Sequence, residues 1–315
     1  GYSLSPIRGS LFDRAGRSGV ISETFADIRE HQKLESFMDE HKPSTIIHMA
    51  AQPLVLESYE NPRETFDINV MGTANLLELA FKKDYVEAVV IVTTDKVYRN
   101  DNSGSAFIET DPLEGKDPYS ASKVGAEAVV AAWQQIGKIK GGPKLFSVRA
   151  GNVIGGGDWA LDRIVPDCVR AWSRGENVEL RNPAATRPWQ HVLEPLSGYL
   201  ALGRELYLEG QTNGESYNFG PDSHQNVTVI QLINDLFQVW GDNGSQPVAF
   251  RNEKKSTLAE AGLLRLNCEK AQRDLSWEPT LNYDECVSFV GTWYKDYYSN
   301  SESPAEFSQR QIEKY

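Results

Sequence analysis

Three cysteines, Cys168, Cys268 and Cys286, are all that 315 residues provide, and they are scattered and odd in number. Neither a disulfide framework nor a zinc site is built that way, so no metal is expected and a reducing compartment is. No run approaches the roughly 20 apolar residues that a membrane-crossing helix needs. The start has no charged-then-apolar layout of a secretory signal, which makes a cytoplasmic protein with no membrane partner the expectation. Positive charge is also scarce: 32 lysines and arginines against 44 acidic residues leave a net charge of −12. Such a surface repels nucleic acid and anionic lipid, so an anionic ligand has to be met by arginines placed locally. There is no internal repeat or low-complexity run. After Tyr298 the hydrophobic pattern fades into Ser299-Asn300-Ser301-Glu302-Ser303-Pro304, which reads as a loose tail.

What is present is a hydrophobic content of 40% in a length that suits one large α/β domain with an appendage, or two ordinary domains. Residues 45–51, 86–92 and 144–149 are short, largely apolar runs of the kind that form buried parallel strands. Helical-length segments separate them. The first, 62–82, carries Phe66, Val70, Ala74, Leu77 and Phe81 at helical spacing, which predicts one face turned to the core. This alternation predicts an α/β fold with a Rossmann-like, doubly wound parallel sheet, whose ligands lie beyond the carboxyl ends of the strands. Ala50-Ala51-Gln52, Thr93-Thr94-Asp95 and Ala150-Gly151-Asn152 would all emerge there.

Beyond Asn152 the texture turns irregular, with Gly155-Gly156-Gly157-Asp158-Trp159 and loops near 175–190 and 210–227. Helices are expected near 161–174, 193–208, 228–240 and 282–298. The chain thus divides into a dinucleotide-binding domain, 1–152, and a smaller mixed substrate-binding domain, 153–315, with the stretch 187–210 returning to the sheet side. A dinucleotide fold opens on a strand, G-x-G-x-x-G and a helix. Residues 1–4 read as the tail of its second strand, so the first strand and the glycine loop are expected to be missing, which puts cofactor binding in question.

Chemistry concentrates at Tyr119-Ser120-Ala121-Ser122-Lys123. In a helix over 117–135, Tyr119 and Lys123 lie one turn apart on one face, where the ammonium favours phenolate over phenol. A phenol silent at neutral pH then becomes a usable base. Alone, such a pair is more often an accident of a helix surface; beside Thr94 and Asp95 at a strand end it marks a site. Arg187, in Arg187-Pro188-Trp189, presents a guanidinium fork suited to phosphate. Arg163 stands equally as a surface residue or a second anion contact, and Lys96 equally as a solvated charge or a base. His48 and His191 read as packing residues, and Trp159 and Trp189 as core or rim aromatics.

These residues resemble the nucleotide-sugar 4,6-dehydratases of the extended short-chain dehydrogenase/reductase superfamily. The resemblance rests on Asp27-Ile28-Arg29, His48 to Gln52, Asn69 to Thr73, Thr93-Thr94-Asp95-Lys96, Tyr119 to Lys123, Arg149 to Trp159 and Arg187 to Pro195. It runs over 1–298, and its last two motifs are similar to those of the branch that acts on CDP-glucose. It implies tightly bound NAD and a redox-neutral loss of water that yields a 4-keto-6-deoxy sugar nucleotide. By family position Tyr119 takes the proton of the sugar 4-hydroxyl, and Lys123 lowers the phenol pKa and holds the nicotinamide ribose. Thr94 hydrogen-bonds the 4-hydroxyl, and Asp95 is the acid that expels water.

Many relatives place a glutamate after that aspartate as the carbon-5 base; here Lys96 stands there, as in the CDP-glucose branch. The implied cofactor positions are Asp27 and Ile28 toward the adenine, Ala50, Ala51 and Gln52 along its passage, Asn69 beneath the site, and Thr93, Tyr119 and Lys123. Asn152 and Arg187, with Arg163, are implied for the substrate diphosphate. A homodimer through the Tyr–Lys helix and the helix before it is implied as well. Ala126, Ala128, Val129, Ala131 and Ala132 permit close packing there, or burial against the sheet. Two other functions stay in play: a nucleotide-sugar 4-epimerase, which needs the Tyr–Lys pair but no acid, and a noncatalytic nucleotide-sugar or NAD-binding scaffold.

Overall fold

The apolar runs become strands, and the segments between them become the helices that cover both faces of the sheet. The computed structural model describes residues 1–3, 21–101, 103–178, 180, 182–204, 214–241 and 264–315. Strands β1 (Tyr2–Ser3) and β2 (Thr24–Phe25) pair in parallel, and α1 (His31–His41) leads to β3 (Thr45–His48). Helices α2 (Val55–Glu60) and α3 (Pro62–Phe66), a π-helical turn at Asp67–Met71, and α4 (Gly72–Ala80) then run to β4 (Ala88–Val92). Next come β5 (Ala106–Phe107), the long α5 (Pro118–Lys140) and β6 (Lys144–Ala150). The following elements are β7 (Val153–Ile154), α6 (Ile164–Ser173), β8 (Thr186–Arg187), β9 (Gln190–His191) and α7 (Leu193–Arg204). The rest are β10 (Ser216–Phe219), β11 (Val227–Thr228), α8 (Val229–Trp240), β12 (Arg265–Leu266), α9 (Glu269–Leu275), α10 (Tyr283–Ser299) and α11 (Pro304–Lys314).

The central sheet is parallel, in the order β10-β6-β4-β3, with His48 opposite Ile91, Ile91 opposite Ser147 and Ser147 opposite Ser216. Because side chains alternate across a strand, its two faces feed two cores. Val89, Ile91 and Leu145 join Leu34, Met38, Leu77 and Val130 on one side. Val90, Phe146 and Val148 join Tyr199, Leu202, Tyr217 and Phe219 on the other. A third core under α6, α8 and α10 gathers Val165, Leu232, Val287 and Trp293. Each fully buried aliphatic side chain contributes about 1.5–3 kcal/mol, so the sheet is a rigid platform for whatever its carboxyl edge carries. Helix α7 packs on β4, β6 and β10. The end of the helix expected over 193–208 and the start of the loop near 210–227 fall partly at 205–213, outside the described residues.

Two expectations are corrected. The face read from Phe66, Val70, Ala74, Leu77 and Phe81 holds only in its second half: Leu77 is buried and Phe81 packs against the same core, whereas Phe66 is 39% exposed and Thr65, Asn69 and Thr73 are buried in its place. The π turn shifts the helical phase, and such turns are frequent at functional sites. The tail is not loose either. Ser303 and Glu306 form a capping box with Pro304 at the first position of α11, and Phe307 is buried in the core below α10. Gln311 Nε2 donates to the Phe289 carbonyl at 2.7 Å, and the Tyr315 hydroxyl reaches Glu194 Oε2 at 3.0 Å. Docking and caps, rather than a long apolar face, make this helix, which is why its polar sequence hid it.

Candidate active site

Helix α5 begins on Asp117, whose carboxylate accepts the Ser120 N–H at 2.9 Å while Ser120 Oγ accepts the Asp117 N–H at 3.1 Å. This box fixes the first turn and with it Tyr119, whose backbone N–H donates to Ser58 Oγ at 3.1 Å. Tyr119 and Lys123 are both buried. Lys123 uses one of its three donors on the Val92 carbonyl at 3.1 Å, which ties the helix to the carboxyl end of β4. There Thr94 Oγ1 donates to Asp95 Oδ1 at 3.1 Å and accepts the Lys96 N–H at 3.3 Å. Asn152 Nδ2 stands 3.4 Å from Asp95 Oδ2. A β-carbon on Gly151 would lie 1.8 Å from that same oxygen, so only glycine lets the end of β6 pass against the carboxylate.

Burial pushes the Asp95 carboxyl up to about 6, against the pull of the Lys96 charge, the Thr94 hydroxyl and Arg187. Burial also pushes the Lys123 ammonium down to about 8, opposed by Glu127. The sequence predicts a phenol pulled down by Lys123, and here the direction is corrected. Burial pushes Tyr119 up to about 12, with the Thr94 hydrogen bond and the Arg163 charge pulling the other way. The phenol is therefore protonated at neutral pH. The Lys96 ammonium lies 5.8 Å from the centre of its ring.

Arg187 acting on Asp95 and Arg163 acting on Tyr119 bring the arginines of the second half to the crevice of Thr94, Asp95 and Lys96. Arg187 Nη1 donates to the Thr186 carbonyl at 2.9 Å, and Arg163 Nη1 pairs with Asp158 Oδ2 at 3.2 Å. Arg163 and Asp158 line a cavity of about 140 Å³ with Val153, Gly155, Val165 and Trp189. In an acidic protein, this convergence of cations is the place for an anionic ligand.

Asp27 follows β2, and its carboxylate accepts from the Arg29 N–H at 2.8 Å, Nε at 2.9 Å and Nη2 at 2.7 Å; the Arg29 bonds hold its pKa low. Ile28 is turned into the core with Leu34 and Leu76. Ala50 and Ala51 are half-buried after β3. Asn69 Oδ1 accepts the Gln52 N–H at 2.8 Å, and its Nδ2 donates to the Gln52 carbonyl and to Ser122 Oγ at 2.8 Å. It therefore ties the loop after β3 to the Tyr–Lys helix. Gln52 is spent on Thr65 and Leu54. Thr93 turns inward, donating to Glu127 Oε1 at 2.6 Å. Glu127, paired with Arg149, is a structural centre of the site that motif reading passed over. Its signal was an arginine inside an apolar strand. Among the described residues no cluster of three His, Cys, Asp or Glu side chains is placed to hold a metal, and no helix is long and apolar enough to cross a membrane.

Fold and site define a Rossmann-like protein of the sugar-nucleotide dehydratase and epimerase kind. Residues 15–289 match the family model described as GDP-mannose 4,6 dehydratase, and the chain belongs to that family. It is similar to CDP-glucose 4,6-dehydratase from Salmonella typhimurium, 40% identical over all of this chain and 88% of the relative. Among solved structures, a double mutant of dTDP-glucose 4,6-dehydratase from Streptomyces venezuelae with NAD bound has a TM-score of 0.78 at 24% identity, covering 94% of this chain and 86% of that one. The Bacillus anthracis dTDP-glucose 4,6-dehydratase, in complex with NAD, has a TM-score of 0.76 at 23% identity, covering 94% of this chain and 87% of that one.

The buried histidines give a prediction in acid. Burial, with Lys123 adding its charge, pushes His48 down to about 3, and burial pushes His191 down to about 4. Their stability is full above the unfolded histidine value near 6.5 and is lost as pH falls toward the folded values, because the unfolded chain takes up the protons first. Between pH 7 and pH 5 each costs about 2 kcal/mol. Asp95, raised in the fold, works oppositely and returns about 1 kcal/mol over that range. Urea unfolding at the two pH values is expected to show a net loss of about 3 kcal/mol, cut to roughly a third in His48→Asn. An unchanged midpoint would contradict this.

Proposed function

We propose that this chain is a CDP-glucose 4,6-dehydratase, removing water from CDP-glucose to give the 4-keto-6-deoxy sugar nucleotide with NAD as bound cofactor. The observation that carries the reaction is the buried, half-protonatable Asp95 hydrogen-bonded to Thr94 beside Tyr119 and Lys123. An epimerase has no use for such an acid. The full-length likeness to the Salmonella dehydratase supports the nucleotide.

The donor set fits NAD. Lys123 has two N–H donors beyond its bond to Val92 and lies one turn from the Tyr119 phenol, which suits a ribose diol. Asp27, just past β2, keeps an acceptor position for adenosine, and Ala50 and Ala51 are small enough for close passage. When bound, NAD supplies the acceptor for the hydrogen leaving carbon 4 and the donor for the one returned to carbon 6. Thr94 orients the sugar 4-hydroxyl and Tyr119 receives its proton in the phenolate form, which burial disfavours and which the Thr94 hydrogen bond and the Arg163 charge favour. Lys96 is the proposed carbon-5 base. Asp95 hands its proton to the departing 6-hydroxyl, and Asn152, Arg163 and Arg187 hold the diphosphate. The division into 1–152 and 153–315 belongs to the same proposal, amended so that β10 counts with the sheet.

We assign a homodimer through α4 and α5, whose Ala128, Ala131 and Ala132 are exposed. A monomer in sedimentation at micromolar concentration would remove it. The deciding assay is mass spectrometry of the chain with NAD and CDP-glucose, dTDP-glucose or GDP-mannose. Loss of one water from CDP-glucose alone is expected. Loss from another sugar nucleotide instead would reassign the base, and binding without loss would leave a scaffold.

A further inference from the structure

The loop Gly155–Asp158 follows β7 and lines the cavity shared by Arg163 and Trp189. Much of what fixes it comes from the other end of the chain. The Tyr294 hydroxyl, on α10, lies 2.7 Å from the Asp158 carbonyl and 3.2 Å from the Gly155 carbonyl, so one O–H is shared between both ends of the loop. Between them, a β-carbon on Gly156 would lie 2.1 Å from Cγ and Cδ2 of Trp293, which shows the indole pressed on the loop backbone. Trp159, just past the loop, meets Tyr294 edge-on at 5.4 Å and Tyr297 at 4.8 Å. Arg170 then holds the Trp159 carbonyl at 2.9 Å. The chain of support continues outward: Trp293 Nε1 donates to Ser308 Oγ of α11 at 2.9 Å, and Phe307 packs into the same core. At the inner end Asp158 pairs with Arg163.

We propose that Tyr294 and Trp293 are positioning residues for the sugar-nucleotide diphosphate, with α10 and α11 clamping residues 155–158 in the shape that aims Arg163 into the crevice. This rests on reading the crevice as a nucleotide-sugar site. An arginine anchored on an ordered loop binds an anion without first paying to order that loop, so loosening the clamp weakens binding more than chemistry, the Arg163 charge being a smaller influence on Tyr119 than burial and the Thr94 hydrogen bond. The cofactor side stands apart, since Tyr119, Lys123 and Asn69 are held by α5, β4 and the π turn.

Tyr294→Phe keeps the ring and removes the shared hydrogen bond. It is expected to raise KM for CDP-glucose and Kd for CDP about tenfold, with kcat and the Kd of NAD within about twofold of the parent. Gly156→Ala, acting from the loop side, and Ser308→Ala, one link further out, should move KM in the same direction, the latter by about twofold to threefold. A Tyr294→Phe protein with parental KM and Kd overturns the clamp, as does one in which kcat and NAD affinity fall together with KM. Should Tyr294→Phe fold poorly, the same two outcomes are read from Ser308→Ala. Parental turnover judges the substrate reading separately. A parent that ignores both CDP and CDP-glucose overturns both, whereas an active parent beside an unaltered Tyr294→Phe overturns the clamp alone.

Discussion

Asp95→Asn is expected to lower water loss from the nucleotide sugar by roughly 10²–10⁴-fold, the range for removing a positioned general acid, while oxidation at carbon 4 persists. Asparagine keeps the shape and the bond to Thr94 Oγ1 but has no proton to give. The pH dependence follows from the same burial. A carboxyl raised to about 6 is roughly half protonated at pH 6 and about a tenth at pH 7, so the acid-limited rate is expected to fall toward tenfold per unit above pH 6. The raised value also means that ionised Asp95 costs the fold about 2–3 kcal/mol at neutral pH. Asp95→Asn should therefore unfold at higher urea than the parent, which separates lost chemistry from lost structure. Full dehydration by this variant, or a rate flat from pH 6 to pH 8, would defeat the role.

Much of this arrangement was legible before any coordinates, because it is local. Residues 45–51, 86–92 and 144–149 are short, largely apolar runs, and a run of that kind has few uses other than a parallel strand, which β3, β4 and β6 are. The Tyr119–Lys123 spacing gives a shared helix face directly. Illegible features are those that depend on what lies across the fold. Spacing suggested an activated phenol, but the sign of the Tyr119 shift is set by desolvation, which no spacing reports. Asn69 looked out of place in an apolar helix, yet only the π turn explains how it reaches Gln52 and Ser122 together. Gly151 carries no special backbone angle and is required only because Asp95 lies against it. Tyr294 lies 136 residues from the loop carbonyl it holds, beyond the reach of any motif.

Glu127 shows the largest consequence of such a hidden contact. Its carboxylate accepts from Arg149 Nε at 2.8 Å and Nη2 at 3.0 Å, from Thr93 Oγ1 at 2.6 Å and from Ser147 Oγ at 2.9 Å, with 4% of either charged side chain exposed. Burial pushes the Glu127 pKa up, but the hydrogen bond and charge of Arg149 outweigh it and hold it low, so the pair's stability is present above the unfolded value and lost as pH falls through the folded one. Glu127→Ala leaves a buried guanidinium whose remaining partners among the described residues are Tyr98, the Glu109 carbonyl and Ser216, and is expected to cost about 3–5 kcal/mol in urea unfolding. Adding Arg149→Met should recover most of that, because the penalty comes from the stranded charge rather than from a lost attraction. A single-variant loss under about 1 kcal/mol would contradict the buried pairing. The milder Glu127→Gln tests the link to chemistry. Glu127 supports the charge of Lys123 one turn earlier, so without it burial takes the ammonium below its present value of about 8. The alkaline limb of activity should then move to lower pH, by the route Glu127 to Lys123, even where the variant remains folded.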